Sequence, residues 1–393
     1  MNNRPNKILT RTVIMLGFVS LFNDIGSEML YPIMPVYLQT IGFSALWIGI
    51  LEGIAEAVVG LSKGYFGKLS DEKGKRLPFV QLGYLLSAVS KPMIALFSYP
   101  LWILLVRSTD KLGKGIRTSA RDAMLSDECS KENKGKIFGF HKAMDTIGAS
   151  IGPILALLYL YYYPADYKNL FFIAFAPSIL AVLFTFFVKE NRKGYSEKTI
   201  SKSNFFSYFR YWNTSEKEYR QLVVGLLLFA LFNSSDVFLL LIAKHYEIAD
   251  VQILSAYVFY NLVYAAFSYP MGHLADNIGM KNTYLLGMVL FSAVYIGMAF
   301  LNGLIMFYVL FFIYGIYAAA TEGISKAWIS KITLSGETAT AIGFYASASS
   351  LVSLFASSLA GLIWVVVLPK TTFIISGVGA LIASLYFLRT IKK

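Results

Sequence analysis

Gly67-Lys68-Leu69-Ser70-Asp71-Glu72-Lys73-Gly74-Lys75-Arg76 and Gly272-His273-Leu274-Ala275-Asp276-Asn277-Ile278-Gly279-Met280-Lys281 are two copies of one pattern, Gly-x-x-x-Asp-x-x-Gly-x-basic, lying in the two halves of a 393-residue chain. Each copy sits between two long apolar runs. Glycine permits a tight reversal there, and a carboxylate in such a turn can bond the N-terminus of a neighbouring helix. Further matches follow in the same order. Gly139-Phe140 has its counterpart in Gly343-Phe344, and Lys114-Gly115-Ile116 in Glu322-Gly323-Ile324. The chain is therefore read as a duplication.

Working outward from these loops, an apolar helix needs roughly 20 residues to cross the hydrocarbon of a bilayer. Scanning for such runs gives twelve: 12–38, 45–66, 78–97, 100–123, 137–160, 168–188, 221–243, 251–270, 282–300, 304–328, 340–363 and 371–388. With 56% hydrophobic and only 15% charged residues, the chain lacks the polar surface that a water-soluble protein requires, so lipid is part of its solvent. The expected fold is all-α and polytopic: twelve transmembrane helices in two pseudo-symmetric six-helix bundles, 1–188 and 221–393, joined by a basic cytoplasmic linker, 189–220. The aromatic stretch Phe205–Trp212 in that linker suits an amphipathic segment on the membrane surface.

Lys and Arg fix the orientation. With the N-terminus inside, the inner segments hold Arg4, Lys7, Arg11, Lys68, Lys73, Lys75, Arg76, Lys131, Lys134, Lys136, the linker cluster, Lys281, Lys331, Arg389, Lys392 and Lys393, and the outer ones only Lys168, Lys244 and Lys370. Both termini are expected in the cytoplasm and the chain in the plasma membrane, the inner membrane of a bacterium. The basic start, Met1 to Arg11, leads into an apolar stretch that is expected to be a retained first span directing insertion. A net charge of +12 dispersed between apolar runs meets lipid headgroups and does not form a nucleic-acid surface. One cysteine, Cys129, excludes an internal disulfide, and the three histidines carry no metal-site spacing, so no metal or cofactor is expected. There is no phosphate-binding Gly-Lys-Ser/Thr loop and no His-Glu-x-x-His, which argues against an enzyme.

The first loop resembles the signature of the major facilitator superfamily, Gly-x-x-x-Asp-(Arg/Lys)-x-Gly-(Arg/Lys)-(Arg/Lys). Gly67, Asp71, Gly74, Lys75 and Arg76 match it, and Glu72 departs where a base is usual. The resemblance implies the twelve-helix fold of that family and a gating loop that latches helices across the interface between halves. Gly272, Asp276, Gly279 and Lys281 would be its second copy. In span four, Arg107-Ser108-Thr109-Asp110-Lys111-Leu112-Gly113 is similar to the family's Arg-x-x-Gln-Gly-x-Gly, with Asp110 in place of Gln and Lys111 in place of the first Gly. The Arg of that motif is associated with proton coupling. Gly148-Ala149-Ser150-Ile151-Gly152-Pro153 in span five looks like the Gly-x-x-x-Gly-Pro of the efflux antiporters. Gly148, Gly152 and Pro153 serve equally as a surface for close helix packing.

A charge at the bilayer centre costs about 3 kcal/mol or more, so it persists only beside a cavity or a partner. Span four carries Arg107, Asp110, Lys114, Arg117 and Arg121 at spacings that place them along one side of a helix. The resemblance implies that spans one, four, seven and ten line a central cavity. Asp24, Glu28, Asp110, Asp236 and Glu322 are therefore candidates for proton coupling, with the Asp24–Glu28 pair first. Asn23, Arg107, Lys114, Asn233 and Lys326 are candidates for contact with solute, the cations favouring a solute with an anionic group. His141, Lys142 and Asp145 in span five read as a polar network at the cytoplasmic gate. The expected activity is proton-coupled efflux of a small solute by alternating access, by a monomer that meets protons, solute and lipid. An uptake symporter or facilitator shares every one of these residues, a lipid or lysolipid carrier predicts a cavity open sideways to the bilayer, and a membrane receptor would bind without moving its ligand.

Overall fold

The computed structural model describes residues 9–43, 45–190, 205–334 and 336–390. The basic residues Arg4, Lys7, Lys392 and Lys393 and the linker cluster from Arg192 to Lys202 lie outside them. The described residues are helical nearly throughout: α1 Arg11–Glu28, α2 Met34–Thr40, α3 Ala45–Lys73, α4 Leu77–Ile94, α5 Pro100–Asp127, α6 Lys134–Tyr162, α7 Tyr167–Thr185, α8 Tyr211–Thr214, α9 Lys217–Ala230, α10 Val237–His245, α11 Asp250–Ile278, α12 Met280–Ala299, α13 Gly303–Ile332, α14 Thr338–Val366 and α15 Pro369–Thr390. Helix starts follow local chemistry. The Thr10 hydroxyl accepts the Val13 N–H at the start of α1, and α5 opens on Pro100, whose missing N–H costs nothing at a first turn.

The spans expected as single helices at 12–38 and 221–243 are each broken. Span one is α1 plus α2, interrupted at 29–33, and span seven is α9 plus α10, interrupted at 231–236. These are the first spans of the two halves, so the break is duplicated along with the fold. Pro32 and Pro35 remove backbone donors near the first break. The second has no proline and falls in Asn233-Ser234-Ser235-Asp236, whose side chains compete for backbone hydrogen bonds. Six of the other helices are individually long and apolar enough to cross a membrane.

In the first bundle α1 packs on α6 and α7, and α5 on α3 and α4; in the second α13 packs on α11 and α12, and α12 on α15. The bundles meet along two seams, α6 against α11 and α3 against α14. Both seams are built on glycine. A Cβ on Gly272 would collide with the Gly135 carbonyl, and one on Gly67 with the Ala339 carbonyl. The linker contributes a 3-10 turn, Ser207–Arg210, and α8. Tyr208 is fully buried against Gly64 of α3, while Phe206 stays 59% exposed.

Candidate functional site

The repeated loops act on the seams from both sides. α3 ends at Gly74 with φ +58° and α11 at Gly279 with φ +97°, left-handed conformations that glycine adopts freely. One turn before each glycine stands the aspartate. Asp71 accepts the backbone N–H of Thr340 at 2.7 Å and its hydroxyl at 2.8 Å, in the first turn of α14. Asp276 accepts the N–H groups of Gly135 and Lys136 at 2.8 and 2.9 Å, in the first turn of α6. Each bundle thus caps a helix of the other, satisfying donors that a helix start leaves open. Arg76 is fully buried and steadies the first latch: it donates to Asp71 at 2.7 Å and pairs with Asp127. Lys75 is exposed, and Lys281 stands half-buried in the first turn of α12.

Beyond this closure lies a cavity of about 670 Å³ whose walls include Lys63, Asn233, Tyr317, Glu322, Lys326 and Ser350. The break in span seven opens its wall. Asn233, freed from the helix, donates to the Tyr317 hydroxyl at 2.8 Å, and Tyr314 donates to Asp236 at 2.6 Å. Tyr264 donates to Glu322 at 2.7 Å. Three tyrosines therefore turn aromatic bodies into packing and hydroxyls toward polar groups, as buried tyrosines require.

Among the described residues, ion pairs join the bundles at the cavity floor. Lys142 of α6 lies 3.1 Å from Glu322 of α13, and Lys326 of α13 lies 2.8 Å from Asp122 of α5. They are oppositely polarised: the first bundle supplies the cation of one and the anion of the other. Glu322 and Lys326 are one helical turn apart, which places both on the same side of α13. Lys142 also holds Asp145 on its own helix at 3.0 Å, and its ammonium lies 5.0 Å from the centre of the Tyr264 ring. Asp122 is sealed, its side chain 1% exposed, and is held additionally by Arg121. The network continues through Ser20, which donates to Asp145 at 2.7 Å and accepts from Arg121 at 3.3 Å.

Asp145 also lies within hydrogen-bond reach of Asp24, which takes a bond from Asn23 at 2.9 Å. Asn23 is buried, and Asp24 and Glu28 are half-buried. Glu28 is the last residue of α1, at the edge of the break. Lys114 is exposed and acts electrostatically on both Asp24 and Glu28, with no ion pair inside 4.0 Å among the described residues. Arg107 is buried within the first bundle, and Asp110 is half-buried beside it, its carbonyl taking the Ser87 hydroxyl. Gly152 of α6 comes against α1 so closely that a Cβ there would lie 2.7 Å from the Ile25 carbonyl. Gly148 does the same one turn earlier, against the Leu21 carbonyl. This segment seats α6 on α1 just ahead of the break, with Pro153 inside α6.

The candidates thus fall into separate groups: Asp24, Glu28 and Lys114 together; Asn233 and Asp236 at the second break; Glu322 and Lys326 on the floor. The sequence reading groups Lys142 and Asp145 as a gate network without placing them among the candidate site residues, leaves Asp122 outside that set, and misses Tyr314, Tyr317 and Ser20. For the charged three, the available signal was their presence in apolar spans. The tyrosines carried none in so aromatic a chain.

The family model of the Major Facilitator Superfamily matches residues 16–247 and 221–393. An uncharacterized MFS-type transporter of Methanocaldococcus jannaschii is 33% identical, over 98% of this chain and 96% of its own. A multi-drug resistance efflux pump PmrA homolog of Lactococcus lactis is 24% identical, over 84% and 83% of the two chains. Among solved structures, the human organic anion transporter MFSD10 superposes with a TM-score of 0.85 at 14% identity, covering 98% of this chain and 100% of that one. The fucose:proton symporter of E. coli gives 0.80 at 10% identity, covering 99% and 100%. At such identities the structural likeness speaks for the fold.

Proposed function

Because the chain belongs to the Major Facilitator Superfamily, we propose that it is a proton-coupled secondary transporter that exports a small organic solute carrying an anionic group. The observation that carries the solute class is Lys114: an exposed ammonium inside a membrane helix, with no carboxylate inside 4.0 Å among the described residues. A solute anion that has shed its water would gain a charge-assisted bond there. The direction is supported by the likeness to the Lactococcus efflux pump and by the Gly148–Pro153 element. The human neighbour, described as an organic anion transporter, agrees with the solute class.

In this reading the bundles 1–188 and 221–393 rock about the cavity, joined by the linker 189–220, in a plasma-membrane monomer. With both termini cytoplasmic, as the Lys and Arg distribution favours, the closed loop ends face inward and the cavity faces outward. Asp24, Glu28, Asp110, Asp236 and Glu322 supply the proton sites. Asp24 and Asp145, carboxyl beside carboxyl, form a pair that can share one proton.

Proteoliposomes loaded with a panel of organic anions test this. At least one anion should move against its gradient when a pH gradient is imposed, and Lys114→Ala should slow it by roughly tenfold or more, the loss of about 1.4 kcal/mol. Transport indifferent to the pH gradient would remove the coupling, and an unimpaired Lys114→Ala would remove the site.

A further inference from the structure

We propose that the proton which lets the bundles change places is the one that binds Glu322, because it dissolves an ion pair across the cavity floor, with Lys142 as the arm that passes from Glu322 back to Asp145. This rests on the reading of the chain as proton-coupled and selects among its acids. Asp24 and Glu28 form no ion pair with the second bundle among the described residues, Asp110 faces Lys91 and Arg107 of its own bundle, and Asp236 is held by Tyr314 of its own bundle. Glu322 and Asp122 each pair with a cation of the opposite bundle. Asp122 is 1% exposed and held by two cations, whereas the Glu322 side chain is 54% exposed and forms part of the cavity wall. A proton arriving through the cavity meets Glu322.

Its consequence follows from the geometry. Lys142 stands 3.0 Å from Asp145 and 3.1 Å from Glu322, an ammonium shared by carboxylates of opposite bundles. Neutral Glu322 no longer attracts it, and Asp145, bonded also by Ser20, retains it within the first bundle. Of these two pairs the floor keeps Asp122–Lys326, and it opens more readily. Return requires Glu322 to be ionised again, since only the carboxylate re-forms the pair. The groups facing Glu322 are Lys142 and Asp145 of α6, Tyr260 and Tyr264 of α11, Lys326 and Tyr317 of its own helix, Asp236 at the start of α10 and Tyr345 of α14. Of these, Lys142 is the cation that ties Glu322 to the opposite bundle.

The test places spin labels on Glu132→Cys and Leu334→Cys, exposed positions on the loop ends of opposite bundles, in the full chain with Cys129→Ser, reconstituted in nanodiscs without solute. Lowering the pH from 8 to 4 should raise the long-distance population by roughly twofold to fivefold, the worth of a partly exposed ion pair. Glu322→Gln, which keeps an acceptor for Tyr264, should show the long-distance population at both pH values, and Lys142→Gln should match it from the other bundle. Lys326→Gln should raise the long-distance population and keep the pH response, since Asp122 remains held by Arg121. A Glu322→Gln that responds to pH like the parent, or stays short at both values, overturns the proposal; so does a Lys326→Gln that loses the response. Proteoliposome transport separates this from the wider reading. Transport driven by a pH gradient with pH-silent distances removes the floor lock alone, while pH-dependent distances with gradient-independent transport remove the coupling and leave the lock.

Discussion

Lys142 shows how little of a residue's role lies in its type. On α6 alone it is the base of an i, i+3 pair with Asp145, an arrangement worth a few tenths of a kcal/mol on a helix surface. Packed against α13, the same ammonium becomes a contact between bundles. Cys129 is the opposite case, a residue whose environment silences it. It lies just past the end of α5, and burial pushes its thiol up to about 11. The thiolate is the reactive form, so iodoacetamide should label the folded protein slowly at pH 7.5 and much faster as the pH approaches 11 or the chain unfolds. Mass spectrometry of labelled peptides checks this; native labelling at the rate of free cysteine at pH 7.5 would contradict the buried environment.

At the scale of the element, the decisive objects are helix ends and helix breaks. Asp71 closes the start of α14 and Asp276 the start of α6, each from the other bundle. A cap of this kind contributes about 1–2 kcal/mol, a factor of roughly five to thirty in an equilibrium. Asp71→Ala should therefore speed amide hydrogen exchange in the first turn of α14, at Thr338–Ile342, by about that factor. Asp276→Ala should do the same at Lys134–Phe138 and leave α14 alone. Exchange that rises equally at both helix starts in either variant would mean that the two latches open as one unit.

For the whole molecule, the glycine seams set how near the bundles approach. Gly135 and Gly272 meet backbone to backbone between α6 and α11. A leucine at 272 has no room in the closed arrangement, and overpacking of this kind costs about 1–3 kcal/mol. Gly272→Leu should thus lower disulfide cross-linking between Glu132→Cys and Leu334→Cys by roughly tenfold, the equivalent of 1.4 kcal/mol. Its melting temperature should move little, because the clash lies between the bundles and not within their cores.

What could be read along the chain was whatever depends on near neighbours in sequence. Twelve apolar runs, the duplicated Gly-x-x-x-Asp loops and the chemistry of a helix-capping carboxylate are local properties, and they suffice for the family fold. The breaks in spans one and seven were half legible, signalled by Pro32 in one case and by the polar run Asn233–Asp236 in the other, yet hidden by hydropathy that stays high across both. Which charges meet across the two bundles was not legible. Arg107 and Lys114 stand on one helix in one stripe, but the first is buried in its bundle and the second exposed. Lys142 and Glu322 are 180 residues apart and meet at 3.1 Å. Hydrophobic burial in lipid specifies that a helix crosses and roughly which side it hides. The partner of a buried charge is decided by which backbone can come close, and here that was settled by glycines at the seams, whose effect exists only once the two bundles are folded and face each other.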